Sequence, residues 1–161
     1  MSTESFSLNR SNVPDASEMR FGVIVTEWNN DITDKLLEGT LRILKENGAG
    51  EHAITIMRVP GSFELIYGCA EMARHGLVDA IIALGCVIRG DTPHFDYICS
   101  GVTQELAQQN TNGKIPVING VLTVNTHEQA EERAGGKLGN KGEEYALTAI
   151  KMVDFAWALQ K

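Results

Sequence analysis

The residues best suited to chemistry follow one apolar run and are Gly90, Asp91, Thr92, Pro93 and His94. Threonine followed by proline is typical of a helix start, so His94 is predicted in a first helical turn. An imidazole at that place can take up and release protons near neutral pH, which suits proton transfer. The N–H groups of a helix start can also bind an anion such as phosphate. The alternative is an exposed histidine with no part in a reaction.

The spacing of Gly85 and Gly90 is similar to that of a phosphate-binding loop. The lysine of a nucleoside triphosphate loop is replaced by Asp91, so such a ligand is disfavoured. Two interpretations stay open, a pair of turn glycines and a backbone nest for one small phosphate. Because Asp91 is itself an anion, we expect it to contact a phosphate through its main chain only.

Aromatic and acidic residues lie at two other predicted junctions between a strand and a helix. Trp28 could stack on a planar heteroaromatic ligand or pack in the core. Glu64 could accept hydrogen bonds from sugar hydroxyls or simply stabilise a helix start. Both junctions are predicted at the same edge of the sheet as His94.

Two cations flank the glycine-rich segment 135–142. A guanidinium from Arg133 and an ammonium from Lys141 would suit a phosphorylated or polyhydroxylated ligand. Solvated surface charge is the alternative for both.

Strands alternating with helices must position these residues. The unbroken apolar run Ala80 to Leu84 is typical of a strand buried on both faces of a parallel sheet. The alternation implies right-handed crossovers and a flavodoxin-like three-layer α/β/α sandwich with a four-stranded parallel sheet. Strands are predicted at residues 20–26, 53–59, 80–84 and 115–122, and helices at about 29–47, 62–75, 94–109, 126–134 and 143–159.

Length and composition exclude several classes of protein. The chain has 161 residues, which fits one domain at 19–161 after a polar tail at 1–18. Its net charge is −7 and it has no run of Lys or Arg, so nucleic acid is not expected as a partner. No stretch is long and apolar enough for a membrane span, and a signal pattern is missing, so a cytoplasmic protein is expected.

The cysteine pattern indicates neither disulfides nor a metal site. There are three cysteines and none form a Cys-x-x-Cys motif, so buried thiols are expected. A metal site from Cys86, His94 and Cys99 is rejected because no fourth ligand is indicated.

Several short motifs, taken in order, resemble the 6,7-dimethyl-8-ribityllumazine synthase family over residues 21–157. These are Trp28-Asn29, residues 59–64 (VPGSFE), 84–97 (LGCVIRGDTPHFDY), 116–123 (PVINGVLT), 132–135 (ERAG) and 139–142 (GNKG). Each motif is weak alone, and their shared order makes the resemblance specific.

The resemblance implies an enzyme, a transferase of riboflavin biosynthesis that needs no cofactor or metal. Its reaction condenses 5-amino-6-ribitylaminouracil with 3,4-dihydroxy-2-butanone 4-phosphate and releases phosphate and water. The resemblance makes His94 the proton-transfer residue and Trp28 the partner of the pyrimidine ring. It assigns the ring and ribityl groups to Ser62, Phe63, Glu64, Cys86, Val87 and Ile88, the phosphate to Asp91, Thr92 and Arg133, and further substrate contacts to Asn119 and Lys141.

The resemblance also implies assembly. Family members form pentamers in which Asn119, Arg133 and Lys141 would serve the adjacent subunit's site, and in which residues 1–18 add to a neighbour's sheet. A short loop at 135–142 is similar to that of pentamers that form an icosahedral shell of about sixty subunits. Riboflavin synthase is a further candidate partner. The alternative function is a non-catalytic module that binds a flavin or a phosphosugar.

Overall fold

A four-stranded parallel sheet forms the centre of the protein, whose computed structural model describes residues 10–160. Its strands lie in the order β2-β1-β3-β4, which confirms the predicted flavodoxin-like architecture. The strands are β1 (Phe21–Thr26), β2 (Ile54–Val59), β3 (Ala80–Ile88) and β4 (Val117–Val124). The helices are α1 (Asn30–Glu46), α2 (Leu65–His75), α3 (His94–Asn112), α4 (His127–Arg133) and α5 (Lys141–Ala158).

Helices cover both faces of the sheet, so alternate residues of each central strand enter different cores. On β3, Ile82 and Leu84 face the core beneath α1 and α5, whereas Ile81 and Ala83 face the core beneath α2 and α3. Burial on both faces is why the β3 sequence has no polar alternation. The loop that carries His94 is therefore attached to a strand that is buried on both faces.

Strand β3 continues past the predicted end at Leu84 and runs to Ile88. Gly85 does not turn the chain; it lies inside the strand, paired with Val121. A Cβ atom at Gly85 would lie 2.7 Å from the hydroxyl oxygen of Ser62. The glycine thus allows the segment after β2 to approach β3 closely.

Helices α1 and α5 cross at two glycines. A Cβ atom on Gly142 would lie 2.0 Å from the carbonyl oxygen of Leu36, and one on Gly39 would meet the amide of Asn140 at 2.6 Å. At the same crossing the Thr40 hydroxyl lies 2.9 Å from the Leu36 carbonyl oxygen and 3.0 Å from that of Gly142. The two helices therefore meet backbone to backbone.

The glycine-rich segment after α4 is more ordered than its composition predicts. It forms a hairpin of β5 (Ala134–Gly136) and β6 (Gly139–Asn140), with left-handed backbone at Gly135 and Gly139. Helix α5 then begins at Lys141, two residues before the predicted start, and the Asn140 side chain caps it by accepting from Gly142 N at 2.8 Å. The prediction that Lys141 lies in a loop is wrong, because this cap starts the helix there.

Part of the predicted N-terminal tail packs on its own chain. Ala16 is fully buried against the α1 and α5 core, its N–H donates to the carbonyl of Asn47, and Val13 packs nearby. Residues 1–9 lie outside the described residues. Ordering of the tail by a neighbouring subunit stays a prediction.

Strand β2 is an edge strand with an exposed surface. Ile56 and Met57 are 42% and 56% exposed, and among residues 10–160 β2 pairs only with β1. Across residues 10–160, no helix is both long and apolar enough to cross a membrane.

Helix α4 is joined to α1 through a histidine that should make stability depend on pH. His127 Nε2 lies 2.6 Å from Asp31 Oδ2, and this contact raises the pKa of His127 above its ordinary value near 6.5. A raised pKa in the folded state means that the contact stabilises below about pH 6.5 and ceases to do so as pH rises through the folded value. We expect His127→Gln to lower the melting temperature at pH 6 and leave it unchanged at pH 9. Equal losses at both pH values would contradict this.

Candidate active site

A cleft of about 520 Å³ opens at the carboxyl edge of the sheet. Its walls come from the loop after β1, the short 3-10 helix after β2, the end of β3 and the start of α3. This is the edge where ligands bind in open α/β sheets. The lining residues are Trp28, Asn29, Ser62, Phe63, Glu64, Cys86, Val87, Ile88, His94 and Ile98.

Trp28 lies at the mouth of the cleft with 67% of its surface exposed. Its backbone N–H donates to the carbonyl of Pro60 at 3.0 Å, and its indole lies against Gly61, where a Cβ atom would come within 2.5 Å of the ring. The loop is therefore held while one ring face stays available. An exposed indole of this kind is suited to stacking on a planar ligand.

Glu64 fixes the turn that precedes it. Its Oε2 accepts from the backbone N–H of Gly61 at 3.0 Å, within the 3-10 helix Ser62–Glu64. Ser62 is buried beside Gly85. The two residues thus form part of the cleft wall.

Cys86 forms part of the apolar wall. Burial, with a smaller contribution from Asp31, raises the pKa of its thiol to about 12. The thiol is therefore neutral at physiological pH and is not an activated nucleophile. Val87 and Ile88 continue this wall, which suits the flat and aliphatic parts of a ligand.

His94 begins α3 and is exposed to the cleft. The helix cap falls at Pro93, one residue after the predicted cap Thr92, because the Pro93 carbonyl accepts from Asp96 and Tyr97. Asp91 and Thr92 are exposed in the preceding loop and lie outside the cleft lining. Neither Gly85 nor Gly90 has positive φ. A backbone nest for one small phosphate in this loop stays a prediction.

Three predicted site residues lie away from the cleft of their own chain. Asn119 is exposed on edge strand β4, and its Oδ1 accepts from Val121 N at 3.2 Å. Arg133 ends α4, with Nη1 donating to the carbonyl of Gln129 at 2.9 Å. Lys141 is largely buried, with Nζ 2.6 Å from Glu144 Oε1.

Two lining residues, Asn29 and Ile98, were missing from the predicted site. Asn29 has a left-handed backbone (φ 57°), and its amide donates to the Cys86 carbonyl at 2.9 Å. The sequence signal for Asn29 was its position next to Trp28 at a predicted junction, because asparagine adopts a left-handed backbone more often than most residues do. Ile98 follows His94 by one helical turn, and that spacing was a signal as well.

We expect Asn29→Ala to lower the free energy of unfolding by about 2 kcal/mol. About half would come from the lost hydrogen bond and about half from placing alanine in a left-handed conformation. Asn12 is the matched control, because it also has positive φ (64°) but lies in an exposed turn. Asn12→Ala should cost about 1 kcal/mol. If denaturant titrations gave equal losses of unfolding free energy for the two variants, the Asn29 amide would have no stabilising role of its own.

The fold and cleft define a three-layer α/β protein with a candidate ligand site at the carboxyl edge of its sheet. Comparison with protein families finds a match to 6,7-dimethyl-8-ribityllumazine synthase over residues 18–156. The chain belongs to the 6,7-dimethyl-8-ribityllumazine synthase family.

Named relatives agree with the family match along nearly the whole chain. The chain is 60% identical over 151 residues to a 6,7-dimethyl-8-ribityllumazine synthase of Phocaeicola vulgatus, covering 94% of this chain and 90% of the relative. It is 60% identical over 143 residues to that of Bacteroides fragilis, covering 89% and 100%. It is 56% identical over 146 residues to that of Parabacteroides distasonis, covering 91% of each.

Proposed function

We propose that this chain makes 6,7-dimethyl-8-ribityllumazine by condensing 5-amino-6-ribitylaminouracil with 3,4-dihydroxy-2-butanone 4-phosphate, the penultimate step of riboflavin biosynthesis. Membership of the family makes the chain an enzyme, a transferase, and disfavours the non-catalytic flavin or phosphosugar module. The observation that carries the assignment of residues is the cleft itself. It brings Trp28, Ser62, Phe63, Glu64, Cys86, Val87, Ile88 and His94 to one place.

The proposed roles are those that the family resemblance implies, and the walls of the cleft suit them. Trp28 stacks on the pyrimidine ring, and the apolar end of β3 with residues 62–64 holds the ring and ribityl groups. His94 transfers protons as the amine attacks the ketone, as phosphate leaves and as the ring closes with loss of water. Holding both substrates together supplies much of the remaining acceleration.

The phosphate site of the proposed enzyme combines two chains. Asp91, through its main chain, and Thr92 would contribute from the exposed loop that precedes His94. Arg133, Asn119 and Lys141 lie away from this cleft, which supports their service in the cleft of an adjacent subunit. On this proposal a single subunit is inactive.

Arg133→Lys should raise the Michaelis constant for the phosphorylated ketone about tenfold and leave that for the aminouracil nearly unchanged. A lysine keeps the charge but cannot form two parallel hydrogen bonds to phosphate, and one lost charge-assisted bond of about 1.5 kcal/mol corresponds to that factor. Steady-state kinetics with each substrate varied in turn measures both constants. Equal increases for the two substrates would show that Arg133 does not bind phosphate.

Assembly into a pentamer, and of pentamers into an icosahedral shell of about sixty subunits, is also proposed. Large apolar side chains support it, since Tyr67 and Leu77 are 72% and 67% exposed beside a groove of about 420 Å³. Patches of this kind mark interfaces. Residues 1–18 would add to a neighbour's sheet edge, and residues 19–161 would form the catalytic domain. Light scattering at micromolar concentration tests assembly, because a particle of about five subunits would contradict the shell.

The decisive experiment mixes the purified protein with the two substrates and follows the fluorescence of the lumazine product. We expect product with wild type and strongly reduced formation with Arg133→Ala, at unchanged circular dichroism. A folded wild-type protein that forms no lumazine would contradict the proposed function. We also propose a cytoplasmic location. Riboflavin synthase is proposed as a partner that takes up the product.

A further inference from the structure

We infer that Arg89 is a positioning residue that fixes the loop carrying Asp91, Thr92 and His94. Arg89 follows the last residue of β3 and lies outside the cleft lining. Its place beside a proposed phosphate site would suggest an anion ligand. The contacts of its guanidinium indicate a different role. This inference rests on the proposed function for its catalytic consequence.

The guanidinium of Arg89 holds the first turn of α3 in two ways. Nη2 donates to Asp96 Oδ1 at 2.9 Å and Nη1 lies 3.4 Å from Asp96 Oδ2. The guanidinium carbon also lies 4.2 Å from the centre of the Phe95 ring. Two guanidinium nitrogens on one carboxylate, together with stacking on an aromatic ring, fix the orientation of the side chain more firmly than a single exposed ion pair does. His94 is adjacent to Phe95 in this turn.

The same side chain is anchored to the neighbouring strand. Arg89 Nε donates to Asn125 Oδ1 at 3.0 Å, and its backbone N–H donates to the carbonyl of Val124 at 2.9 Å. The backbone N–H of Asn125 in turn donates to Gln129 Oε1 at 2.8 Å, on α4. Arg89 therefore spans the ends of β3 and β4 and the start of α3.

The anchor on Asn125 continues to Arg133, which is also proposed to bind phosphate. The carbonyl of Gln129 accepts from Arg133 Nη1 at 2.9 Å. One network of contacts thus holds the loop before His94 and the end of α4. All three guanidinium nitrogens of Arg89 already contact Asp96 or Asn125, so Arg89 positions the machinery and does not itself bind phosphate.

Arg89→Ala should lower kcat about 10²-fold, the effect expected when a reacting group is misplaced by about 1 Å. Arg89→Lys should be similarly slow, since an ammonium cannot form the fork and the stack together. Asn125→Ala, which removes one anchor only, should have a smaller effect in the same direction. The Michaelis constants for both substrates should change less than kcat.

The chain provides a matched control at the opposite edge of the sheet. Arg20 also binds one aspartate through two nitrogens, with Nη2 at 2.9 Å from Asp79 Oδ1 and Nε at 3.3 Å from Oδ2. Arg20→Ala removes the same kind of contact far from the cleft and should leave kcat unchanged. A loss of kcat shared by both variants would mean a general structural role and would overturn the inference.

Amide hydrogen exchange of residues 90–97 tests positioning independently of activity. Exchange there should be faster in Arg89→Ala than in wild type and unchanged in Arg20→Ala. Unchanged exchange in Arg89→Ala would overturn the inference. So would a larger Michaelis constant for the phosphorylated ketone alone at unchanged kcat, because Arg89 would then be a direct phosphate ligand. A wild-type protein without lumazine formation would overturn the proposed function, and the exchange measurement would still decide whether Arg89 fixes the loop.

Discussion

Replacing His94 with alanine should slow lumazine formation by about 10²- to 10⁴-fold, the usual contribution of a positioned proton-transfer group. His94 is exposed in the cleft, so the fold should survive the change. Residual turnover is expected, because the remaining cleft still brings the two substrates together. Single-turnover fluorescence measures the chemical step directly.

A second histidine provides the control for His94. His52 is also exposed but lies in the 3-10 turn that precedes β2, at the amino edge of the sheet. His52→Ala should therefore leave the rate unchanged. A His94→Ala enzyme within about threefold of wild type would show that the imidazole does not transfer protons in a slow step.

Gly142→Ala should destabilise the protein by about 3 kcal/mol or more. The new methyl group would lie 2.0 Å from the Leu36 carbonyl oxygen and 2.9 Å from the Thr40 hydroxyl, and the backbone carbonyl cannot move away without separating α1 from α5. Overpacking of this kind at a backbone contact belongs to the large mutational effects. The melting temperature should fall by about 6 °C or more.

Gly101 offers a glycine of the opposite kind. It lies within α3, and beyond the backbone of its own helix a Cβ atom there would have no neighbour within 4 Å among the described residues. Gly101→Ala should be neutral or stabilise by up to about 1 kcal/mol through helix propensity. Similar losses in the two variants would mean that helix propensity, and not the crossing of α1 with α5, decides the outcome.

The sheet was predictable from the sequence because its strands are apolar runs separated by amphipathic helices. The limits of β3 were not, since a glycine in sequence signals a turn, whereas Gly85 is required by the approach of Ser62 from another segment. The hairpin after α4 was not predicted either, because its order depends on contacts and not on composition. Its glycines suggest a loop, and the order comes from strand pairing and from the Asn140 cap.

The sequence motifs contained most of the residues that line the cleft, but they did not indicate the hydrogen bonds of Arg89. Residues at the ends of strands converge because parallel strands end at one edge. The bonds of Arg89 to Asp96 and Asn125 depend on side-chain directions across two strands, which no spacing encodes. Asn119, Arg133 and Lys141 lie away from the cleft of their own chain, and their proposed service concerns contacts between chains.

The pairing of α1 with α5 sets an order of events during synthesis. About 95 residues of chain separate Glu46 from Lys141, so α1 leaves the ribosome long before the helix that covers it. At typical elongation rates of about 5 to 20 residues per second, the apolar side of α1 waits about 5 to 20 seconds for its partner. During that interval the nascent chain presents Leu36 and Leu44 to solvent or to a chaperone.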